Sequence, residues 1–372
     1  MTMKRFLLHI MLFSVLLPLM GGCSQAEDVP AAIGTDDVLL NLSLSTRSGN
    51  LPQEGMEIGE GVPEDMHLWI YGADAHGKLK SLAYIHKDED IFTGRDLYGN
   101  PVETIRGLRI TNGKLFAKLH FYLVLNSQSV NWTSENVNLD ENTSLETLKE
   151  LAFTGIVSDK EDNQLLMYGE SEVEITATSN YEVLISATRA MAKMELFFTR
   201  RYAESELTVQ SIDLLPVVKH GYLVSRTLAE DDYQHQQPTD SESLLRQGTD
   251  ITTTSSEIYG YFSGDEANFT KLSTSYLLEN TEGLKEWNDG NVPDGKYPGS
   301  VTDENANYYK VCVQYKIDGE NKNKEFYLPP VLRNRLYKIY ARIAPGDKPI
   351  RFQIEVIDWT DGGNGNVNEW EY

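Results

Sequence analysis

Short apolar runs of period two, separated by Gly, Asp and Asn clusters, constrain this chain more than any other feature, and residues 38–47 carry the pattern most cleanly. Val38, Leu40, Leu42 and Leu44 fall on one face and Leu39, Asn41, Ser43 and Ser45 on the other, the alternation of a half-buried β-strand. Thr46, Arg47, Ser48, Gly49 and Asn50 follow directly, one basic side chain among small residues, which is the kind of segment a trypsin-like protease reaches. Two readings are open. In one this is an ordinary first strand followed by a solvated arginine, the commoner fate of any single Arg. In the other it is a strand that is removed by cleavage between Arg47 and Ser48. Its departure would uncover a groove once filled by four apolar side chains, with an upper limit of about 6–12 kcal/mol of burial. The flanking strands would lose ladder partners, and the cleaved protein would accept a strand from another chain.

Ahead of that stretch, Lys4 and Arg5 precede an apolar run from Phe6 to Met20, which Gly21, Gly22 and Cys23 close. A charged start, a run of this length and small residues at its end mark residues 1–22 as a secretory signal peptide, too short for a spanning helix. The Gly21-Gly22-Cys23 junction resembles a bacterial lipobox, so Cys23 is expected to be acylated, for example with palmitate, and to hold the precursor at a membrane. Residues 24–37 read as a polar tether. Cys312, the one other cysteine, then has no partner for a disulfide and is expected to be an inert core thiol.

The formal net charge of −23 makes nucleic acid an improbable partner. Aromatic-containing strands between turn clusters indicate an all-β sandwich protein, and 372 residues are enough for two bodies. Residues 66–73 and 79–86 read as a hairpin around Asp74-Ala75-His76-Gly77, and residues 108–111 and 114–125 as another around Asn112-Gly113, the strongest hairpin signal in the chain. Ser144 can cap a helix running to about residue 153, with Leu145, Leu148, Leu151 and Ala152 on one face. Further strands are expected at 173–177, 181–188, 192–199, 207–218, 257–262, 272–278, 308–317, 335–343 and 350–359. The charge cluster at 199–206 divides the chain into 48–200 and 201–372, behind a propeptide at 23–47.

No catalytic or cofactor pattern is present: there is no G-x-S-x-G, H-E-x-x-H, Walker loop or C-x-x-C. His120, His220 and His235 have no ligand-spaced partners, and Asp358, Asp361, Asn364 and Asn366 lack the order of a calcium loop. No enzyme activity, metal or cofactor is therefore expected. The five Trp could line a glycan platform, which gives a rival reading of a surface lipoprotein that binds polysaccharide, although aromatics on strands are usually core.

Four strings carry a resemblance. They are Ala187-Thr188-Arg189-Ala190-Met191-Ala192-Lys193-Met194-Glu195-Leu196, Tyr276-Leu277-Leu278-Glu279-Asn280, Leu332-Arg333-Asn334-Arg335-Leu336-Tyr337 and Val356-Ile357-Asp358-Trp359. In this order, and with the lipobox and Arg47, the chain resembles the fimbrillin family, the subunits of type V pili of Bacteroidetes. The resemblance implies two transthyretin-like β-sandwich domains with one or two short helices, and export as a lipoprotein to the outer membrane. It also implies cleavage at the Arg47-Ser48 position by an Arg-specific extracellular protease and head-to-tail polymerisation with other pilin subunits into an adhesive extracellular fimbrium. Anchor and tip subunits share the architecture, and the adhesion ligand is not specified. Two C-terminal segments are candidates for the replacing strand. Ile350, Phe352, Ile354 and Val356 alternate as Val38, Leu40, Leu42 and Leu44 do, unless that strand stays in its own domain; the final piece, 367–372, offers Trp370 and Tyr372.

Overall fold

The computed structural model of the chain describes residues 34–46, 63–95, 101–135, 137–156, 164–235, 243–245, 248–255, 266–282, 307–346, 351–358 and 366–371. Among these, one sheet runs in the order β3 (Leu79–Lys87), β2 (Met66–Ala73), β6 (Lys118–Leu125), β9 (Met167–Glu174), β10 (Asn180–Arg189), β1 (Val38–Thr46), β5 (Pro101–Ile110), β4 (Gly94–Arg95). A second runs β18 (Thr270–Leu278), β11 (Met191–Arg200), β21 (Arg335–Ile343), β22 (Arg351–Asp358), β23 (Asn366–Glu371). A third holds β16 (Ser243–Leu245), β12 (Leu207–Leu215), β19 (Lys310–Ile317) and β20 (Glu320–Tyr327), with β17 (Thr249–Ile251) also paired to β12. Two small ladders remain, β14 (Gly221–Tyr222) with β8 (Ala152–Ile156) and β7 (Val130–Trp132), and β13 (Val217–Val218) with β15 (Tyr233–Gln234).

The fold is all-β, and the alternation of the strands explains where its cores lie. Leu68, Ile70, Phe121 and Leu123 point inward from β2 and β6 and meet Leu40, Leu42, Val183 and Ile185 of β1 and β10, so the first sheet closes into a sandwich. The second and third sheets face each other in the same way, with Met194, Leu196 and Ile339 against Val209, Val311 and Val313. β2 is buried along its whole length because its other face is covered too. There Trp69 Nε1 donates to the Asp140 carbonyl (2.8 Å), and the Tyr84 and Tyr71 hydroxyls donate to those of Leu139 and Thr143 (2.9 and 2.5 Å).

The hairpin at Asp74 forms as its turn chemistry predicts. The Asp74 carboxylate accepts from the His76 and Lys78 N–H groups (2.8 and 2.9 Å), and Gly77 takes a φ of 77°. The hairpin expected at Asn112-Gly113 does not form. β5 pairs with β1 and β4, and β6 with β2 and β9, so this turn is an arch between the two layers of the sandwich. Asn112, at φ 56°, turns the chain so that Gly113 lies against Val38, where a Cβ would come within 2.9 Å of the valine side chain. The first strand occupies the space that a hairpin partner would have taken.

Ser144 does cap a helix, accepting from the Thr147 N–H (3.1 Å), but α1 spans only Leu145–Glu150. From Ala152 the chain is β8, paired on both sides, and this ladder ends the helix before the expected residue 153. β9 starts at Met167, ahead of the expected 173, and the strand expected at 257–262 lies outside the described residues. β20 has no apolar alternation to announce it; it is an edge strand carrying Lys322 and Lys324, charges that discourage further pairing. Cys312 is half-buried on the face of β19 opposite Val311, Val313 and Tyr315, not in the core. Burial, with Glu325 beside it, pushes its thiol up to about 11, which keeps it protonated and inert.

The chain crosses from the first sheet to the second at Ala190, between β10 and β11, one strand before the charge cluster at 199–206. Asn334 pins this crossing, and its neighbour Arg333 ties together the segments at 222–223 and 279. Asn334 Oδ1 accepts from the N–H and Nη1 of Arg189 (3.4 and 3.3 Å), while its own N–H donates to the Met191 carbonyl (2.8 Å). Arg333 donates to Glu279 and to the carbonyls of Leu223 and Tyr222 at 2.8–3.0 Å.

His67, opposite His86 in the β2–β3 ladder, is buried with Tyr84 OH 2.8 Å from Nδ1 and Ser127 Oγ 3.2 Å from Nε2. Burial lowers its pKa from 6.5 to about 4; Asp65, 3.5 Å away, opposes the shift, and His86, stacked at 4.5 Å, adds to it. Because the folded value lies below the unfolded one, the unfolded chain binds the proton first as pH falls. The stabilisation is complete above about pH 6.5 and is lost as pH falls towards 4, an effect of order 2–3 kcal/mol. Urea melts of wild type and His67→Gln at pH 7 and 4.5 should therefore show a steeper acid loss in wild type; equal losses would show that His67 is not held neutral.

Candidate functional site

The site grows out of β1. Leu39 to Thr46 pair in parallel with Asn180 to Ala187 of β10, and Val38 to Ser45 pair antiparallel with Ile110 to Val102 of β5, with an irregularity between Leu40 and Leu42. That irregularity falls beside Gly107, whose φ of 65° suits a glycine at a bulge. Val38, Leu40, Leu42 and Leu44 are each 0% exposed. The other face is half-buried and, apart from Leu39, polar, and it is tied to both neighbours. Asn41 Oδ1 accepts from the Gly107 N–H (2.9 Å), its Nδ2 donates to Glu182 (2.7 Å), and the hydroxyls of Ser45 and Ser186 lie 3.2 Å apart.

One end of the strand is held by a carboxylate. Asp37 Oδ1 accepts from the Asn112 N–H (2.9 Å), and Oδ2 accepts from the Gly34 N–H (2.9 Å) and from Nε of Arg109 (2.7 Å), with Nη2 of Arg109 also in contact. The Asn112 N–H first, and the Arg109 guanidinium after it, hold Asp37 below the usual carboxylate range. Lys114 grips the same segment, its N–H on the Asp36 carbonyl (2.9 Å) and its Nζ on that of Thr35 (2.8 Å). The motif was invisible in sequence because Asp37 and Arg109 are 72 positions apart.

At the other end of the chain, β22 lies between β21 and β23. Phe352 and Ile354 are 1% exposed in the second core and Val356 packs on its margin. Among the described residues β23, which contains Trp370, pairs with β22 alone, Trp370 opposite Phe352. Cys23, Arg47, Ser48, Ile350 and Tyr372 lie outside the described residues.

Two other features were weighed. A groove of about 620 Å³ beside β18, lined by Met191, Leu214, Val218, Leu244, Tyr276 and Leu278 among others, has no charged side chain on its wall among the described residues. Of the tryptophans, Trp69 is fully buried, and Trp132 donates to the Ser127 carbonyl (3.0 Å) while packing edge-on against Phe153. Neither indole offers an open platform for a sugar. Among the described residues no group of three or more His, Cys, Asp or Glu side chains is placed to hold a metal ion.

No family model matches the chain, and no curated protein matches it. Among solved structures it is similar to a fimbrial assembly protein from Parabacteroides distasonis ATCC 8503, at 13% identity and a TM-score of 0.46, over 90% of this chain and 100% of that one. It is similar also to a fimbrilin from Porphyromonas gingivalis W83, at 14% identity and a TM-score of 0.46, over 84% of this chain and 91% of that one.

Proposed function

We propose that the chain is a structural subunit of a cell-surface pilus, exported as a lipoprotein through Cys23, cleaved between Arg47 and Ser48 by an Arg-specific extracellular protease, and polymerised by strand exchange in the service of adhesion. The position of β1 carries the reading. A strand at an edge could leave without consequence, but β1 lies inside a sheet with ladders on both sides and four apolar side chains fully buried. Its loss would leave β5 and β10 facing each other across a gap one strand wide, roughly 10 Å from axis to axis. Such a gap calls for one strand, and Arg47 follows β1 by a single residue. Cleavage there would also part the body from the lipid, so the subunit would leave the outer membrane for an extracellular fimbrium.

β23 is the better donor of the two C-terminal candidates. β22 already fills its own core with Phe352 and Ile354, whereas β23 has one ladder to lose. In Arg47→Ala the intact chain should stay on the membrane as a monomer, and the cleaved wild type should form ladders that resist unheated detergent gels. Sequencing the N-terminus of assembled material tests the same point. Ser48 is expected for a stalk subunit, and Cys23 with its lipid would mark an anchor. Folded precursor whose Arg47 resists mild trypsin while other sites are cut would overturn the reading.

A further inference from the structure

The end of β1 can be placed on its ladder to a single hydrogen bond. Leu39 donates its N–H to the Ser179 carbonyl, and its partner in the register is Asn180. In a parallel ladder such a residue bonds through its N–H to the residue before its partner and through its carbonyl to the residue after, and the pattern recurs every second residue. The register runs without a shift from Leu39 on Asn180 to Thr46 on Ala187. By that count Ser45 meets the Ile185 carbonyl and the Ala187 N–H. The next carbonyl in the series is that of Arg47, and the donor waiting for it would be the N–H of Arg189.

That donor is already engaged. The Arg189 N–H lies 3.4 Å from Asn334 Oδ1, which also accepts from Nη1 of Arg189 (3.3 Å). Asn334 sits on the edge that β1 uses: its own N–H donates to the carbonyl of Met191, two residues past Arg189, whereas the Ala190 N–H points the other way, to the Leu166 carbonyl. β1 and β21 thus lie end to end along one edge of the β10–β11 run, both parallel to it, with Asn334 between them. Asn334 is 7% exposed and holds these contacts at a φ of 57°, a left-handed conformation that asparagine tolerates.

A protease that cuts an extended segment needs the carbonyl of the scissile bond in its own oxyanion hole. A carbonyl bonded into a sheet is withheld from it. We propose that Asn334 is a positioning residue for cleavage: by taking the Arg189 N–H it ends the β1 ladder at Thr46 and keeps the Arg47 carbonyl out of the sheet. Water then adds across the Arg47–Ser48 bond, leaving a carboxylate on Arg47 and an amine on Ser48. This rests on the cleavage reading above.

Limited trypsin digestion of the intact precursor tests it, with cuts at Arg47 counted by mass spectrometry against cuts at the other Lys and Arg sites of the same chain. Asn334→Gly keeps the left-handed backbone and removes the oxygen, so the Arg47 carbonyl can join the ladder. Relative cutting at Arg47 should fall about tenfold, the factor carried by one ordinary hydrogen bond that has to open first. Asn334→Asp keeps an oxygen in place and should be cut as wild type is. Loosening of the crossing alone would speed the cut, the opposite direction. Unchanged or faster relative cutting in Asn334→Gly, or an equal loss in Asn334→Asp, would overturn the proposal and leave the cleavage reading standing; a wild type spared at Arg47 would overturn that reading. If Asn334→Gly folds poorly, Ser45→Arg/Arg47→Ala decides. Its arginine has its carbonyl on the Ala187 N–H, inside the ladder, and should be cut about tenfold more slowly than Arg47 of wild type. Equal cutting would overturn the proposal.

Discussion

Replacing Ile354 with aspartate should unfold the second sandwich of the monomer, before assembly comes into question. Ile354 is 1% exposed, lies opposite Ile339 in the β21 ladder and belongs to the cluster between the second and third sheets. Removing such a side chain costs about 2–5 kcal/mol, and a carboxylate left there without a partner costs several more. The sum is comparable to the whole stability of an ordinary domain, about 5–15 kcal/mol. The expected result is loss of the near-ultraviolet circular dichroism signal and of a cooperative melt for this part of the chain. A variant that melts like wild type yet cannot join ladders would mean instead that β22 is the exchanged strand, and the choice of β23 would have to be given up.

Leu42→Asp should have an effect of similar size that then disappears. Leu42 is 0% exposed at the centre of the first core, so the intact precursor should lose most of the stability of that body. If β1 is discarded after Arg47, the lesion leaves with it, and assembled material from the variant should match wild type in heat resistance. Ile185→Asp is the control. It faces the same cluster from β10, also at 0% exposure, but it stays in the mature chain, so its defect should persist after cleavage. Persistent weakness in assembled Leu42→Asp would mean that the first strand is retained.

The sequence made individual strands legible wherever one face is core and the other is not. Alternation alone locates β1 at Val38–Thr46, and Asp74 to Gly77 announce their turn through side-chain acceptors and a glycine. Partnership was not legible. Asn112-Gly113 has the composition of a hairpin turn, and only the distant Val38, packed on Gly113, makes it an arch. β20 escaped because an edge strand need not bury either face, whereas the outward face of Cys312 was already written in its alternation, since Cys312 shares its phase with Gln314 and Lys316 and not with Val311, Val313 and Tyr315. The pairing of Asp37 with Arg109 belongs to the same class, a contact between segments that only the finished sandwich brings together.

The parallel ladder between β1 and β10 also fixes an order of events in folding. Asn41 and Glu182, bonded side by side, are 141 positions apart, so the strand made first has to wait for one of the last elements of its body. Closing so long a loop is entropically slow, and contacts of this range govern folding rates more than stability. Until residue 189 is available the β1 segment is an exposed apolar strand, the form most prone to pair with a stranger. The first body should accordingly fold with a late slow phase in which β1 docks, and a chain shortened before β10 should aggregate through this segment.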